Sequence, residues 1–373
     1  MSDTEHKILS VSSNLKAQAI KRLGASIFSD GGIAAGLLSA GLLLFPSFAW
    51  YRMATSRIKK VLVVQYSQTG QLSRIVSSIS NPLMESDVVD VTTVTIEPEQ
   101  AYPFPWDFFS FFDVFPESVY LDPPAIKDID IDANQDFDLI IFAYQVWFLS
   151  PSLPITAFIK SETGNKLLKG KPVITVIGCR NMWVMAQQTM KTLLHEAGAI
   201  LIDNIVLVDQ GSALASFVTT PRWLFTGKKD AFSGFPAAGV SAQDIRRACR
   251  FGFAIVKGLA SDQEKTDQPL LKGLQAVTAD SGLIQSEKVG YRSFRIWGKL
   301  LRKVGKSGAV ARKPVLVIYL VFLILMIVTV VPVNMLLKRI LAPLLKKKQT
   351  QLQKQYELPS GSGAERMDEF ECQ

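Results

Sequence analysis

The residues best suited to chemistry lie in a short loop near position 70. The segment Ser67-Gln68-Thr69-Gly70-Gln71 directly follows an apolar run and precedes a helical pattern. A tight loop at a helix N-terminus offers backbone N–H groups, hydroxyl groups and the positive end of the helix dipole, which together bind a phosphate monoester without a fixed cation. Ser67 and Thr69 would donate through their hydroxyls, and Gly70 would allow a close backbone approach. An ordinary capped turn is the alternative. The loop is neither a P-loop nor a Rossmann fingerprint, because it lacks the Gly-Lys-Ser/Thr ending of the first and the GxGxxG pattern of the second.

The elements that must position this loop are five apolar segments of strand length that alternate with helical patterns. The predicted strands are Lys60–Tyr66, Val89–Ile96, Asp138–Tyr144, Pro172–Ile177 and Ile202–Val208. The predicted helices are Gln71–Ile79, Ile155–Ile159, Met185–Glu196 and a capped helix from Ser241 to Leu259. Strands that are apolar throughout are typical of a parallel sheet with helices on both faces. The sequence therefore predicts an α/β domain over residues 59–262, with a doubly wound, five-stranded parallel sheet.

The phosphate loop resembles the Ser/Thr-x-Thr-Gly-x loop of flavodoxins, and this resemblance implies a flavodoxin-like fold with FMN as the cofactor. In such sheets the flavin ring lies across the loops at the carboxyl ends of the central strands, beside the topological switch point. Those loops hold Tyr144, Gln145, Val146 and Trp147 after the third strand, and Gly178, Arg180 and Asn181 after the fourth. Tyr144 or Trp147 would stack on the ring, while N–H groups near Gly178 and the side chains of Arg180 and Asn181 would meet its polar edge. The alternatives are that Trp147 belongs to the core and that Arg180 pairs with a surface carboxylate.

Six motifs within the predicted domain occur in one combination. They are Tyr-Ser-Gln-Thr-Gly-Gln-Leu (66–72), Tyr-Pro-Phe-Pro-Trp (102–106), Phe-Pro-Glu-Ser (115–118), Tyr-Gln-Val-Trp-Phe-Leu-Ser-Pro-Ser (144–152), Gly-Lys-Pro-Val-Ile-Thr-Val-Ile-Gly (170–178) and Arg-Asn-Met-Trp-Val-Met-Ala-Gln (180–187). Over residues 59–230 this combination resembles the bacterial flavodoxin-like proteins associated with dialkylresorcinol biosynthesis. The resemblance implies a flavin redox step that oxidises a cyclic dione with long alkyl substituents to an aromatic resorcinol.

The same family carries the name of a condensing enzyme, and the residues of this chain fit that name badly. A condensing enzyme of the ketosynthase type needs a reactive cysteine with histidine partners. The chain has only two histidines, His6 and His195, and Cys179 is the sole plausible thiol. His195 is expected to be structural, and no residue is assigned a catalytic role.

The segment between the second and third predicted strands is rich in aromatic side chains. From Tyr102 to Phe115 they follow one another too densely and too irregularly for one face of a helix or strand. Such a loop would line an acyl channel or dip into lipid, and a lid packed on the domain is the alternative. Asp107 and Asp113 are candidate bases by residue type alone.

Two uncharged segments indicate contact with a membrane, in a chain whose mean hydropathy is +0.21. Pro314–Leu337 is 24 residues long, which is enough to cross a bilayer as a helix. Gly31–Tyr51 is a weaker hydrophobic membrane segment of 21 residues, because it contains four glycines and Pro46. For this segment a transmembrane helix, a re-entrant or interfacial segment and a secretory signal all remain open. Basic residues flank both ends of Pro314–Leu337, so a hairpin or an oblique interfacial helix is also an alternative there.

Positive charge is concentrated just before the uncharged segment Pro314–Leu337. Residues 241–313 hold 15 Lys and Arg against 6 Asp and Glu, and this surplus of nine accounts for the whole net charge of +8. Residues 291–313 predict a basic amphipathic helix, whose helically spaced apolar residues are Phe294, Trp297, Leu300, Leu301 and Val304. We expect it to contact anionic membrane lipid rather than nucleic acid, and packing on the domain core is the alternative. The remaining parts are predicted to be an N-terminal tail (1–30), a linker (263–290) and a basic, then disordered tail (338–373).

Together these features predict a membrane-anchored, FMN-dependent oxidoreductase on the cytoplasmic side of the bacterial inner membrane. Its substrate would be a lipophilic ring compound, with quinone or NAD(P)H as a further redox partner. A quinone-linked flavodoxin-type dehydrogenase, an NAD(P)H:quinone reductase and a non-catalytic electron carrier or scaffold are the alternatives. Three cysteines without a CxxC pair predict neither a disulfide framework nor a metal site, which fits a reducing compartment.

Overall fold

The computed structural model describes residues 57–330 except 213 and 267, together with residues 333, 347, 349–370 and 372. The predicted N-terminal tail (1–30), the apolar segment Gly31–Tyr51 and most of residues 331–348 lie outside the described residues.

Five parallel strands form the central sheet. They are β1 (Lys59–Gln65), β2 (Val89–Thr95), β3 (Leu139–Tyr144), β4 (Pro172–Cys179) and β5 (Ile200–Val208), in the spatial order β2-β1-β3-β4-β5. In register, Val63 lies between Thr93 of β2 and Ile141 of β3. Every residue of β3 is buried, as expected for a strand covered on both faces. The predicted five-stranded parallel α/β sheet is confirmed.

Eleven α-helices lie between residues 71 and 325 of the described part of the chain, and a further helical segment at residues 349–357 follows them. They are α1 (Gln71–Met84), α2 (Phe108–Asp113), α3 (Phe115–Tyr120), α4 (Leu153–Lys160), α5 (Glu162–Leu168), α6 (Val184–Glu196), α7 (Ser216–Thr226), α8 (Ala242–Arg247), α9 (Cys249–Ala260), α10 (Ser281–Val304) and α11 (Arg312–Leu325). The single helix predicted from Ser241 to Leu259 is divided into α8 and α9. Helices α1 and α9 pack closely because a Cβ at Gly252 would collide with the carbonyl of Ile79.

The aromatic insert is the segment between β2 and β3 that contains Tyr102 to Phe115. It folds into two short helices, α2 and α3, whereas its sequence predicts an irregular loop. Asp107 caps α2 by accepting a hydrogen bond from the N–H of Ser110 at 2.9 Å. Pro116 lies in the first turn of α3, where its missing N–H is harmless. Local capping therefore explains helices that apolar periodicity alone does not predict.

The predicted linker at residues 263–290 is wrong. Leu270, Leu271, Leu274 and Val277 are buried in the main core. Helix α10 begins at Ser281, ten residues before the predicted start at 291, because Asp280 caps it by accepting a hydrogen bond from the N–H of Gly282. The polar residues of this segment thus surround an apolar strip that docks on the domain.

The predicted disorder of the C-terminal tail is also wrong for the part that the structure describes. Residues 349–357 are helical, and Glu357 and Ser360 are buried. The Ser360 hydroxyl donates to Asp203 of β5 at 2.6 Å. Cys249 and Cys372 form a disulfide with a Cα–Cα distance of 6.0 Å, which the cysteine spacing does not predict.

A second, smaller core joins the insert to the helices that follow the main domain. Phe115, Val119, Leu301, Leu316 and Tyr319 form its buried centre. Helix α10 uses Phe294, Trp297 and Leu301 for this packing, so these residues follow the alternative of a helix packed on the protein. Ile296, Leu300 and Val304 remain exposed on α10. Within the described residues, Arg312–Thr329 is the one helical segment long and apolar enough to cross a membrane by length and composition, with a mean hydropathy of 2.1.

Candidate cofactor site at the carboxyl edge of the sheet

The phosphate loop follows β1 at the point where the sheet changes direction. β1 lies between β2 and β3, so the chain leaves it first to one side and later to the other, and such switch points form the ligand crevice of open α/β sheets. Gly70 has φ +74°, a left-handed conformation that favours glycine, and it immediately precedes α1. Its conformation makes the sharp turn from loop to helix.

The N-terminus of α1 suits an anion. Its first turn contains no acidic residue, and its N-cap residue, Gly70, has no side chain that could cap it. The positive end of the dipole of this 14-residue helix is therefore not neutralised locally. The Thr69 hydroxyl accepts a long hydrogen bond of 3.4 Å from the N–H of Gln71. The buried hydroxyl of Ser67 has no hydrogen-bond partner in the described part of the chain.

The side chains of the two glutamines in the loop form hydrogen bonds with other parts of the protein. The Gln68 side-chain amide donates to the Pro103 carbonyl at 2.9 Å and ties the loop to the aromatic insert. The Gln71 side chain is 7% exposed, and its oxygen accepts from the N–H of Val240 at 3.0 Å. The predicted phosphate contact of Gln71 is thus limited to its backbone, because its side chain is engaged in the domain.

Tyr144 does not reach the cofactor side of the sheet. Its ring is fully buried, and its hydroxyl donates to the Gln187 side-chain oxygen at 2.6 Å. Gln187 in turn donates to the Thr175 hydroxyl at 3.0 Å. The predicted stacking of Tyr144 on a flavin is wrong, because a core hydrogen-bond chain satisfies its polar end.

Trp147 lies in the short hairpin that follows β3. Val146 and Trp147 pair with Pro151 and Ser150. The Trp147 ring is 9% exposed and makes edge-to-face contacts with Tyr66, Tyr102 and Trp106, with centroid distances of 6.0, 4.8 and 5.9 Å. The structure therefore places Trp147 beside the loop after β1 within an aromatic cluster.

The hairpin turn is conformationally strained. Phe148 and Leu149 have φ values of 50° and 60°, which side chains with a Cβ rarely adopt. Consecutive residues of this kind persist where the surrounding structure fixes them, and they concentrate at ligand sites. Next to them, the buried side-chain oxygen of Gln145 lacks a hydrogen-bond partner among the described residues.

Gly178 belongs to the end of β4 and serves the packing of α1. A Cβ there would lie 3.0 Å from Ile75 and 3.4 Å from Leu72. Its absence lets the helix that carries the phosphate loop approach the sheet closely. The predicted role of Gly178 near a flavin stays a prediction.

Arg180 and Asn181 continue from β4 into the edge loop. The Arg180 guanidinium lies 4.1 Å from the centroid of Phe217 on α7. Burial lowers the pKa of Arg180, and the nearby Asp209 carboxylate partly opposes this effect. In the described structure the Arg180 Nε and the Asn181 side-chain oxygen are buried without a hydrogen-bond partner.

The buried polar atoms without partners among the described residues thus include four on three adjacent loops, besides the hydroxyls of Ser150 and Ser152: Ser67 Oγ after β1, Gln145 Oε1 after β3, and Arg180 Nε and Asn181 Oδ1 after β4. Buried polar groups in native proteins are nearly always hydrogen-bonded. Because these three strands are neighbours in one parallel sheet, their carboxyl ends meet at one edge. Donors and acceptors at this edge suit a ligand with both an anionic and a ring-shaped polar part.

Sequence reasoning missed two parts of this edge. Asp209 follows β5, and its carboxylate accepts from the N–H groups of Gly211 and Gly239 at 2.7 and 2.5 Å. The other part is α7, which supplies Phe217 beneath Arg180. Asp209 was accessible to prediction, since it stands at the carboxyl end of a predicted strand, whereas α7 shows no clear periodicity.

The carboxyl edge of the sheet, with the loops after β1, β3 and β4, is the cofactor edge. A cavity of about 660 Å³ lies next to it. Its lining includes Tyr102, Glu117, Arg302, Lys306 and Arg312, from the insert and from the connection between α10 and α11. Tyr102 links this cavity to the edge through its contact with Trp147. The cavity therefore combines several charged groups with one aromatic ring, that of Tyr102.

The remaining candidates from the sequence have structural surroundings. Asp107 caps α2, and Asp113 accepts hydrogen bonds from Ser307 and Gly308. Burial raises the pKa of the Cys179 thiol well above its ordinary value, which disfavours the thiolate that a nucleophile needs. Within the described residues, no group of three or more His, Cys, Asp or Glu side chains could hold a metal ion.

The strand order β2-β1-β3-β4-β5 is that of the flavodoxin-like doubly wound fold, so the chain contains a domain of this class. Known structures with a similar arrangement include a flavoprotein from Lactobacillus acidophilus in complex with FMN, with 17% identity over 40% of this chain and 93% of that chain and a TM-score of 0.33. A putative flavoprotein from Bacteroides eggerthii has 21% identity over 40% of this chain and 87% of that chain, with a TM-score of 0.33. A flavodoxin from the domain Archaea has 14% identity over 56% and 99% of the two chains, with a TM-score of 0.29. No protein-family model and no curated protein matches the chain. The fold assignment rests on the strand order rather than on these similarities.

Proposed function

We propose that the flavodoxin-like domain binds FMN at the carboxyl edge of its sheet and acts as an oxidoreductase. The observation that carries this proposal is the set of four buried polar atoms, unpartnered within the described residues, in the phosphate loop and in the loops after β3 and β4. FMN presents a phosphate and a flat ring with polar edges, which match the two kinds of group found there.

Each part of the site has a role in this proposal. The hydroxyls of Ser67 and Thr69 and the N-terminus of α1 would hold the phosphate. The side chains of Gln145, Asn181 and Arg180 would hydrogen-bond the polar edge of the ring, and Trp147 would flank it. Bound FMN supplies two-electron chemistry, taking up or releasing a hydride.

A lipophilic ring is the proposed substrate. The sequence resembles proteins of dialkylresorcinol biosynthesis, and the aromatic insert exposes Phe108 and Phe109. Converting a cyclic dione into a resorcinol removes one hydride, which FMN would accept, and one proton. A quinone would reoxidise the cofactor, whereas NAD(P)H would supply electrons if the enzyme works in the reductive direction. The proposed location is the cytoplasmic side of the bacterial inner membrane.

The cofactor assignment is tested by spectroscopy and by one double substitution. The protein purified in detergent should show a flavin spectrum and release FMN on denaturation. Ser67→Ala with Thr69→Ala should weaken FMN binding by about 100-fold, because two hydrogen bonds to a charged group contribute roughly 3 kcal/mol together. The variant should stay folded, since neither hydroxyl supports the core.

Ser77→Ala is the matched control, because Ser77 is an exposed serine further along α1. It should bind FMN like the unsubstituted chain. Undiminished affinity in the double variant would refute the loop assignment, and a colourless protein that FMN does not reconstitute would refute the proposed function. With FMN bound, anaerobic bleaching by a cyclic dione, by NAD(P)H or by neither distinguishes dehydrogenase, reductase and electron carrier.

A further inference from the structure

The apolar helix α11 is attached to the domain along much of its length. We propose that α11 enters only one leaflet of an anionic bilayer and does not cross it, so that both flanks of the apolar segment lie on the same side of the membrane. This inference rests on the membrane association in the proposed function and specifies its geometry. It replaces the transmembrane crossing predicted for Pro314–Leu337.

The first observation is the packing of α11 against the insert and α10. Arg312 is 1% exposed and pairs with Glu117 at 2.6 Å and with Asp113 at 3.4 Å. Further along the helix, Tyr319 lies 4.6 Å from Phe115 between ring centroids, and Phe322 lies 5.3 Å from Trp297. The helix is therefore covered by the protein on one side as far as Leu323.

This packing leaves too little free helix for a crossing. Residues 312 to 323 account for about 18 Å at roughly 1.5 Å per residue, whereas the hydrocarbon core is about 30 Å thick. The contact between Trp297 and Phe322 lies well inside α11. If α11 crossed that core along its whole length, the neighbouring Arg295 and Lys299 of α10 would be carried into lipid. Ionisable groups at such depth are strongly unfavourable.

The second observation is that the chain returns to the same domain. The side chain of Glu357 accepts from the N–H of Ala279 at 3.0 Å, and Ser360 is bonded to Asp203 of the sheet. Arg366 donates to the carbonyl of Leu270 at 3.1 Å. A single crossing would place these residues across the membrane from their partners.

A return by a second crossing conflicts with the sequence. Residues 331–348 separate the end of the described helical segment from the returning part, and they include Lys338, Arg339 and Lys346–Lys348. A crossing helix needs about 20 predominantly apolar residues. An entry and exit through one leaflet is consistent with both the packing and the charges.

The exposed surface fits an anionic leaflet in chemistry. Helix α11 exposes the apolar side chains of Val317, Ile318, Val321, Ile324 and Leu325, and the π-helical turn that follows it exposes Val328. The neighbouring α10 exposes Ile296 and Leu300 between the basic residues Arg292, Arg295, Lys299 and Lys303. Residues 288–330 contain no Asp or Glu. Apolar side chains flanked by basic ones are typical of helices that lie in the interface of an anionic membrane. Dimerisation through this surface is disfavoured, because both copies would bring positive charge to the contact.

Cysteine labelling tests this geometry in the full chain. Ala311→Cys and Gln355→Cys each place a thiol at an exposed position on either side of the apolar segment. The variants are expressed in bacteria and treated with a membrane-impermeant maleimide, in spheroplasts and in inside-out membrane vesicles. We expect both positions to be modified from the same side, with the unsubstituted chain as the background control for Cys179, Cys249 and Cys372.

Modification of the two positions from opposite sides would overturn the inference. Modification of both from the outside would keep it and would instead refute the cytoplasmic location. If the protein formed a dimer that protects Ile318 and did not float with anionic vesicles, a second copy of the chain, and not a lipid leaflet, would cover the exposed surface of α11. The flavin content is measured separately on the same preparations, so colourless protein with same-side labelling would refute the proposed function alone.

Discussion

At the scale of single residues, the cofactor edge separates side chains by whether the protein already satisfies their hydrogen bonds. Tyr144 and Gln71 have protein partners, whereas four polar atoms on the edge loops have none within the described residues. Residue type alone does not reveal this difference. A tyrosine and a tryptophan three residues apart are equally good stacking candidates in sequence. Yet the side chain of Tyr144, at the end of β3, lies in the core, whereas the hairpin places Trp147 in the aromatic cluster.

Tyr144→Phe tests the assignment of Tyr144 to the core. The substitution leaves the Gln187 oxygen buried without its donor, so we expect the free energy of unfolding to fall by about 1–3 kcal/mol. FMN affinity should not change, because the ring does not reach the cofactor edge. Chemical denaturation and a flavin titration measure the two quantities.

The matched control is Tyr120→Phe, which removes a more exposed hydrogen bond of 2.9 Å to the Arg295 carbonyl. Its effect on stability should be smaller, since water can replace that bond. Unchanged stability and weakened FMN binding in the Tyr144→Phe protein would show that Tyr144 contacts the cofactor and that its assignment to the core is wrong.

At the scale of elements, sequence periodicity predicts the sheet well and its surroundings poorly. All five strands were predictable from their apolar residues, and the central strands β1, β3 and β4 are mostly buried apolar runs covered on both faces. Helices α2, α3 and the first part of α10 were not, since they depend on caps such as Asp107 and Asp280 and on packing between distant segments. The buried leucines at 270, 271 and 274 are surrounded by polar residues in sequence, so that only tertiary contacts identify them as core.

Helix α10 is linked to the cofactor edge through Glu287. This side chain is 1% exposed, and its carboxylate accepts from the N–H of Met185 at 3.0 Å at the start of α6. Burial raises the pKa of Glu287 to about 8 from an ordinary value near 4.5, although the backbone N–H groups of α6 oppose this shift. The folded state therefore binds a proton that the unfolded state releases.

The sign of this shift predicts a pH dependence. The stability that protonated Glu287 contributes is fully present below pH 4.5 and is lost as the pH rises through about 8. Each pKa unit corresponds to about 1.4 kcal/mol, so the slope should be measurable. Glu287→Gln should flatten the decline of the free energy of unfolding between pH 5 and pH 8.

Asp203 titrates in the same range, because burial raises its pKa to about 7, so part of the slope should survive in the Glu287→Gln variant. Glu85→Gln is the control, since Glu85 is exposed beyond the end of α1 and should leave the slope unchanged. An identical pH profile for Glu287→Gln and the unsubstituted chain would show that Glu287 is ionised in the folded protein.

At the scale of the whole molecule, the flavodoxin-like domain and the helices α10 and α11 share one continuous structure. The insert between β2 and β3 contacts the loop after β1 through Gln68 and contacts α11 through the second core. The cavity lined by Tyr102 and Arg312 lies between them. Under the proposed function, a lipophilic substrate that enters from one leaflet would meet the insert before it meets the cofactor edge.

Binding to vesicles should depend on the basic residues that α10 exposes. Lys299→Glu with Lys303→Glu should reduce partitioning into phosphatidylglycerol vesicles by at least about 30-fold, because each basic residue near an anionic surface contributes roughly 1 kcal/mol. Binding of the unsubstituted chain should weaken as salt is added. Co-flotation with vesicles of phosphatidylglycerol or of phosphatidylcholine alone measures both effects.

Lys169→Glu gives a matched charge reversal at an exposed position of the main domain, and its binding should change little. The double variant should retain its flavin, since neither lysine contacts the edge loops. Equal losses in the control and the double variant would indicate a general effect of net charge rather than a basic surface on α10. If the double variant binds both vesicle types like the unsubstituted chain, apolar insertion of α11 alone accounts for membrane binding, and the electrostatic part of the docking surface is wrong.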